Sequence, residues 1–352
     1  MKNNKNKWKI FSVALSLILI IVLTSGCLTA DQEEQPHQQQ ETIPDQEEQP
    51  QTPELIPKLT IIGPPGPPSI PLVYMVENDR LSHIAEETEL VIWKNLDQLR
   101  AIIAGQEGDF AIMPSNIAAM FYNKEMDIQL IDISVWSVFD ILSSDPTVES
   151  MEDLKGDRIA IPFEGGVPDI LFRYISERQG IDITKDMEIY YVTNPAHSAR
   201  MLIEGKVDHA LSLEPLTTTV LLKEEGRFHR VIDLSEEWQN VVGGEVRTPI
   251  AGTVALPSMQ KNPEAIREFQ KEFELAIAWM IENPDEAGII SEKRLGFNPT
   301  AVSKSIANTE WEFVTARDAR DDLEAFFGIM YNFSPKTVGG KMPDDGFYHE
   351  GF

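Results

Sequence analysis

Apolar and polar positions begin to sort into folded elements at Lys58. Leu59–Ile62 reads as a strand, stopped by the stretch Gly63-Pro-Pro-Gly66-Pro-Pro68. Ser69 then stands where it can cap a helix Ile70–Glu77, with Pro71 in the first turn, where a missing N–H costs nothing. Glu89–Trp93 predicts a second strand. Leu96, Leu99, Ile102 and Ile103 share one face of a helix that ends at Gly105. Phe110–Met113 is a third strand, and Ser115 or Asn116 opens a helix to about Asn123. Ile128–Val135 and Val138–Leu142 are further strands. Such apolar strands between helices imply a covered, mostly parallel sheet.

The same rhythm returns over 157–234. Strands are expected at Arg158–Ile161, Glu188–Val192, His209–Leu213 and Arg230–Leu234, and helices at Val167–Arg178, Ala196–Glu204 and Leu216–Glu225. Arg100–Gly105 leads into Asp109–Pro114 much as Arg200–Gly205 leads into Asp208–Pro215. That parallel suggests two similar halves, although turns between helix and strand favour Gly and Asp in any case. Arg247–Leu256 predicts another strand. Pro263–Glu282 is a long helix with apolar residues at 266, 269, 273, 276, 277 and 280. Pro284 starts a helix that ends before Gly296, and Thr300–Ile306 and Arg317–Met330 are helical. Trp279, Trp311, Phe326 and Phe327 read as core.

Composition narrows the function. At 352 residues the chain suits one or two domains. Its 57 acidic and 30 basic residues leave a net charge of -27, the wrong sign for binding nucleic acid. The single cysteine, Cys27, allows neither an internal disulfide nor a thiolate metal cluster. Six scattered histidines give no metal-binding spacing, so neither a metal nor a cofactor is expected. No Gly-x-Ser-x-Gly, His-Glu-x-x-His or Walker sequence is present, and catalysis is not expected.

The opening residues read as an address. Lys2, Lys5, Lys7 and Lys9 precede an apolar run Ile10–Leu23, short for a bilayer span but suited to a signal peptide over 1–26. Thr24-Ser-Gly-Cys27 resembles the lipobox of bacterial lipoproteins, with Thr24 where an aliphatic residue is usual. The expectation is export and lipidation at Cys27, giving a lipid anchor on the extracytoplasmic face of the cell membrane. The alternative is an uncleaved membrane anchor. Residues 27–57 repeat Asp-Gln-Glu-Glu-Gln-Pro, lack Lys and Arg, and are expected to form a disordered acidic tether.

Several segments, taken in order, carry a family likeness. They are the strand, Gly-Pro loop and helix at 60–77; Asp109-Phe-Ala-Ile-Met-Pro-Ser-Asn116; and Asp153-Leu-Lys-Gly-Asp-Arg-Ile-Ala-Ile-Pro162. Asp208-His-Ala-Leu-Ser-Leu-Glu-Pro215 and Asn262-Pro-Glu-Ala-Ile266 with Glu282-Asn-Pro284 follow. Together they resemble the substrate-binding lipoproteins of ABC importers of the nitrate/taurine/sulfonate and thiamine-precursor type. Residues 334–352 lie outside the likeness. The resemblance implies a two-lobe α/β fold of the periplasmic-binding-protein-like type II, with a ligand cleft between lobes. Lobe one is then 58–145 with 246–352 and lobe two 146–245, joined by crossings near Ser143–Asp145 and Arg247–Pro249. It also implies a small-molecule ligand and, as partners, an ABC permease and its ATPase. A biosynthetic enzyme on the same fold and a tethered ligand sensor are the rival readings.

Ligands of open α/β sheets collect at the carboxyl ends of strands. That rule selects Gly63, Pro64, Gly66 and Ser69 in the first loop, and Met113, Ser115 and Asn116 at the next helix start. Trp136 ends a strand and offers an aromatic face. In the second half, Phe163, Glu164, Gly165 and Gly166 open a helix, with a ring to stack and backbone donors to share. Glu214 follows a strand as a hydrogen-bond acceptor. These positions include no arginine, which favours a polar heterocycle over a sulfonate- or nitrate-like anion, unless Arg80, Arg173 or Arg247 reaches the cleft.

Overall fold

The computed structural model describes residues 55–243 and 246–351. The expected signal peptide, Cys27 and nearly all of the tether lie outside the described residues. The tether does not extend to residue 57 as expected. Ile56 pairs with Ala85 as an isolated bridge, so its backbone is already part of the fold.

Among the described residues, eleven strands form two sheets. The first sheet contains β1 (Leu59–Gly63), β2 (Thr88–Ile92), β3 (Phe110–Pro114), β4 (Gln129–Ser137), β10 (Ala251–Ala255) and β11 (Glu310–Thr315), in the order β11-β4-β10-β3-β1-β2. The second contains β5 (Phe139–Ser143), β6 (Arg158–Pro162), β7 (Glu188–Val192), β8 (His209–Leu213) and β9 (His229–Asp233), in the order β7-β6-β8-β5-β9. Four strands of each sheet run the same way. Strands β10 and β11 reverse in the first sheet and β5 reverses in the second.

The helices are α1 (Ile70–Glu77), α2 (Leu96–Gly105), α3 (Ser115–Asn123), α4 (Val167–Arg178), α5 (Ile183–Asp186), α6 (Pro195–Ile203) and α7 (Leu216–Lys223). They continue with α8 (Leu234–Val242), α9 (Pro257–Gln260), α10 (Pro263–Glu282), α11 (Pro284–Leu295), α12 (Pro299–Ile306) and α13 (Arg320–Phe333). Caps explain why several boundaries match the sequence. Asn262 accepts from the Ala265 N–H ahead of α10, and proline stands at the first position of α10, α11 and α12.

The reversal of β5 follows from where the chain changes sheets. Strand β4 ends at Ser137 in the first sheet and β5 starts at Phe139 in the second, leaving only Val138 between them. The expected crossing at Ser143–Asp145 is therefore displaced by a whole strand. The return runs through 246–250: the Thr248 hydroxyl donates to the Trp136 carbonyl, and Ile250 N–H donates to Val135 O at 2.9 Å.

Two apolar bodies hold the first sheet. Helix α10 buries Ile266, Phe269, Phe273, Ala276, Ile277 and Met280, and Phe269 stacks on Phe110 at 4.1 Å between ring centroids. On the other side, an aromatic seam runs from the second sheet's helices into the first. Tyr174 of α4, Trp238 of α8, Phe326 and Phe327 of α13, Phe347 and Tyr122 of α3 follow one another at 5.3–6.3 Å. The segment after α13 is a strap across the first sheet. Phe347 and Tyr348 are buried, His349 N–H donates to Leu130 O at 2.8 Å, and Asn123 donates to Val338 O and Lys341 O.

One buried carboxyl inside the first sheet gives a pH-dependent expectation. Asp132 is fully buried, and its Oδ1 accepts from the Thr253 N–H at 3.1 Å and hydroxyl at 3.0 Å. Burial pushes its pKa from the ordinary 3.8 up to about 7. The folded protein then holds a proton that the unfolded chain has lost. Stability relative to an Asp132→Asn variant is expected to be highest at and below the ordinary value and to fall as pH rises towards the folded value. The difference should be on the order of 2–4 kcal/mol. Urea unfolding of both proteins across this range checks it; a constant difference would show that Asp132 does not retain the proton.

Candidate ligand site

Strand direction brings one edge of each sheet to the crossings. The carboxyl ends of β1, β3 and β4 lie along one edge of the first sheet, because Ala251 pairs with Pro114 and Glu310 pairs with Ser137. In the second sheet, Phe139 pairs with Leu213 and Asp140 with Asp233, so the ends of β8 and β9 share an edge with the start of β5. Val138 joins the two edges. The loops chosen from the sequence all follow strands that end on these edges.

In the first sheet the candidates divide. Gly63 is buried, and a Cβ there would stand 2.3 Å from the Ser69 hydroxyl, so glycine is needed for close packing. Ser69 donates to Pro64 O at 2.6 Å, leaving Gly66 half-buried at the loop surface. Met113 is fully buried in the sheet and presents nothing to a ligand. Ser115 donates its hydroxyl to Pro249 O and its N–H to Ile250 O, so it braces the return crossing. Asn116 is 6 % exposed, its Nδ2 donates to Thr337 O at 3.3 Å, and its buried Oδ1 has no partner. A buried acceptor of this kind requires a donor from water or a ligand.

Trp136 does not offer an open face. Its ring is fully buried, Nε1 donates to Glu312 O at 2.9 Å, and the Arg247 guanidinium lies over the ring at 3.6 Å. Arg247 in turn pairs with Glu312 and Asp322. Arg80 pairs with Glu272 at 2.7 Å and Arg173 with Asp169 at 2.8 Å. All three arginines thus have internal carboxylate partners.

The second-sheet loop is the most open part. Phe163 is 46 % exposed and sits at φ 57°, a left-handed conformation uncommon for a bulky residue. Glu164 and Gly165 are exposed, and Gly165 has φ 73°. The backbone donors expected of the two glycines are already engaged: Gly165 N–H donates to Asp169 Oδ2 at 2.8 Å and Gly166 N–H to Phe163 O at 2.7 Å. Asp169 also accepts from Arg173 Nε and from the Tyr191 hydroxyl at 3.2 Å. The sequence reading passed over Asp169, although its spacing of four from Arg173 on one helix was a visible signal.

Glu214 is not the free acceptor expected. It is fully buried, accepts from the Thr218 N–H at 3.1 Å and hydroxyl at 2.9 Å, and pairs with Arg230. Arg230 also pairs with Asp140 at 2.9 Å. Burial outweighs that pairing and pushes the Asp140 carboxyl up to about 8. This network supports α7 from below, so substitution of Glu214 acts on folding. A cavity of about 440 Å³ opens on the other side of Arg173, which lines it with Glu177, the turn at 180–183 and Phe333 of α13.

Two sheets flanked by helices, joined by short crossings at one shared edge, define the two-lobe, type II periplasmic-binding-protein-like class. Solved structures agree. The chain is similar to an ABC transporter protein from Parabacteroides distasonis, with 24 % identity over 84 % of this chain and 99 % of that one, at a TM-score of 0.71. It is also similar to the periplasmic aliphatic sulphonate binding protein SsuA of Escherichia coli, with 17 % identity over 82 % and 92 % of the two chains and a TM-score of 0.64. A third neighbour is the periplasmic nitrate-binding protein NrtA of Synechocystis PCC 6803, with 12 % identity over 80 % and 84 % and a TM-score of 0.59. These three are transport and binding proteins rather than enzymes. No curated protein sequence matches. The NMT1/THI5-like family model matches residues 89–287, and the chain belongs to that family. Among the described residues, no helix is long and apolar enough to cross a membrane.

Proposed function

We propose that the chain is a lipid-anchored solute-binding protein on the extracytoplasmic face of the cell membrane. It captures a small polar heterocycle between its lobes and hands it to an ABC permease driven by its ATPase. The observation that supports this reading best is the pair of sheet edges joined by Val138: the strands before Asn116 and before Phe163 both end on them, Phe163 with an exposed ring and Asn116 with a buried, unpartnered acceptor. A flat ring with N–H groups satisfies both, by stacking and by donating. Lysines 2–9, the apolar run and Cys27 supply export and anchoring in this proposal.

Native mass spectrometry of the freshly purified protein tests ligand capture. Wild type is expected to carry a small organic molecule. Asn116→Ala should weaken its binding about tenfold, from one lost hydrogen bond. Phe163→Ala should weaken it by a few-fold to about tenfold, from lost stacking. Unchanged retention in both variants would remove these residues from the site, and with them this reading of the edge.

A further inference from the structure

A glycine turn leading into a helix start is ordinarily a seat for an oxyanion, because free N–H groups and the positive end of the helix dipole converge there. In the second lobe that seat is filled from within. Asp169, the third residue of α4, is 1 % exposed and takes the Gly165 N–H at 2.8 Å and the Arg173 Nε at 2.8 Å, with the Tyr191 hydroxyl beside it. The two donors an incoming oxyanion would use, one backbone and one guanidinium, thus both end on a resident carboxylate. The neighbouring helix starts also have backbone N–H groups taken by a side chain. Asn194 accepts from His197 N–H at the start of α6, Glu214 from Thr218 N–H in the first turn of α7, and Asp233 from Ser235 N–H at the start of α8. In the first lobe α1 and α3 start without a side-chain cap, whereas Asn95, Asn262 and Asn298 cap α2, α10 and α12.

We infer that Asp169 is a specificity-determining residue: a built-in anion that closes the second-lobe face of the cleft to sulfonates, nitrate and other oxyanions. The ligand therefore presents a neutral or hydrogen-bond-donating group to this loop. The inference rests on the proposal that the Phe163–Gly166 loop lines the ligand cleft. It adds that selection by charge is set beneath that loop, by a residue that need not touch the ligand. A second, like-charged group placed beside Asp169 is repelled, and it finds neither Gly165 N–H nor Arg173 Nε available.

Calorimetric titration with ethanesulfonate and with nitrate tests this on the wild-type protein, Asp169→Ala and Asp169→Asn. Wild type is expected to bind neither at millimolar concentration. Asp169→Ala frees both donors and should gain at least tenfold in affinity for nitrate, which is small and planar like the carboxylate removed. Asp169→Asn keeps an acceptor for Gly165 but removes the charge opposite Arg173, and should gain less. That variant also preserves the local hydrogen bonding, so it reads out if the alanine protein does not fold. Adding Phe163→Ala to whichever variant folds should alter the gained affinity, placing the anion at this loop. Micromolar binding of ethanesulfonate by wild type, or no gain in a folded Asp169 variant, overturns the inference. If the Asn116 and Phe163 single variants still lose their resident molecule, only the charge selection fails; if they retain it, the cleft reading fails first.

Discussion

Arg230→Leu is expected to destabilise the protein by about 3–5 kcal/mol near neutral pH, the usual cost of leaving buried carboxylates without their cation. Glu214 and Asp140 are both buried, and Arg230 bridges them from β9. Leucine fills the space but supplies no charge and no donors. Asp140 is already held up to about 8 by burial, with the Glu214 and Asp233 charges adding to it and only Arg230 pulling strongly the other way. Without Arg230 its carboxyl rises further. A carboxyl protonated when folded and ionised when unfolded loses stability as pH rises, so the penalty should be larger at alkaline than at mildly acidic pH. Urea unfolding midpoints at the two pH values check both size and sign. A loss under about 1 kcal/mol at both would mean the network is hydrated rather than sealed.

Ending the chain after Phe333 should have a still larger effect. The strap buries Phe347 and Tyr348, caps the aromatic seam, and supplies the carbonyls that hold Asn116 and Asn123 of α3. Removing one buried aromatic typically costs about 3–5 kcal/mol, and here two are lost together with several hydrogen bonds. That sum is comparable with the whole stability of an average domain, about 5–15 kcal/mol. The truncated chain is expected to be insoluble or to lack a cooperative thermal transition. Phe347→Ala is the graded version, expected to lose about 3–5 kcal/mol and remain folded. A truncated protein that melts like wild type would show that the strap merely rests on the surface.

Local chemistry made most of the fold readable. Helices α1, α4, α10 and α11 have the expected bounds, each with proline in its first turn; Asn262 caps α10 as expected, whereas Ser69 turns its hydroxyl to Pro64 O and does not cap α1, and the strands between them are short apolar runs. Four elements escaped, two of them the four-residue helices α5 and α9, too short to show a periodic apolar face. Strand β11 is half-buried at a sheet edge, so Glu310–Thr315 lacks a full apolar face. Helix α8 begins directly after β9, where Asp233 ends one element and caps the next. The crossing at Val138 was hidden for a different reason: two adjacent apolar strands look alike whether they enter one sheet or two. At the site, sequence located the loops but not the state of their side chains. Glu214 meets Arg230 sixteen residues on, and Trp136 meets Arg247 after more than a hundred, pairings that only the folded chain creates. The aromatic and glycine character of 163–166 was visible, whereas the use of its N–H groups by Asp169 was not.

The seam through Tyr174, Trp238 and Phe326 makes the protein its own optical gauge. Trp238 belongs to a helix of the second lobe and touches an aromatic of the first, while Trp136, beneath the Arg247 cation, stands beside the strand that leaves for the second lobe. Both indoles are sealed from solvent, so bulk quenchers do not reach them. Any rotation of one lobe against the other must slide the Trp238 ring over its neighbours or change the Arg247 stack. The chain holds six tryptophans, so Trp136→Phe and Trp238→Phe exchanges isolate the share of the intrinsic emission that these two positions contribute to any change between the lobes.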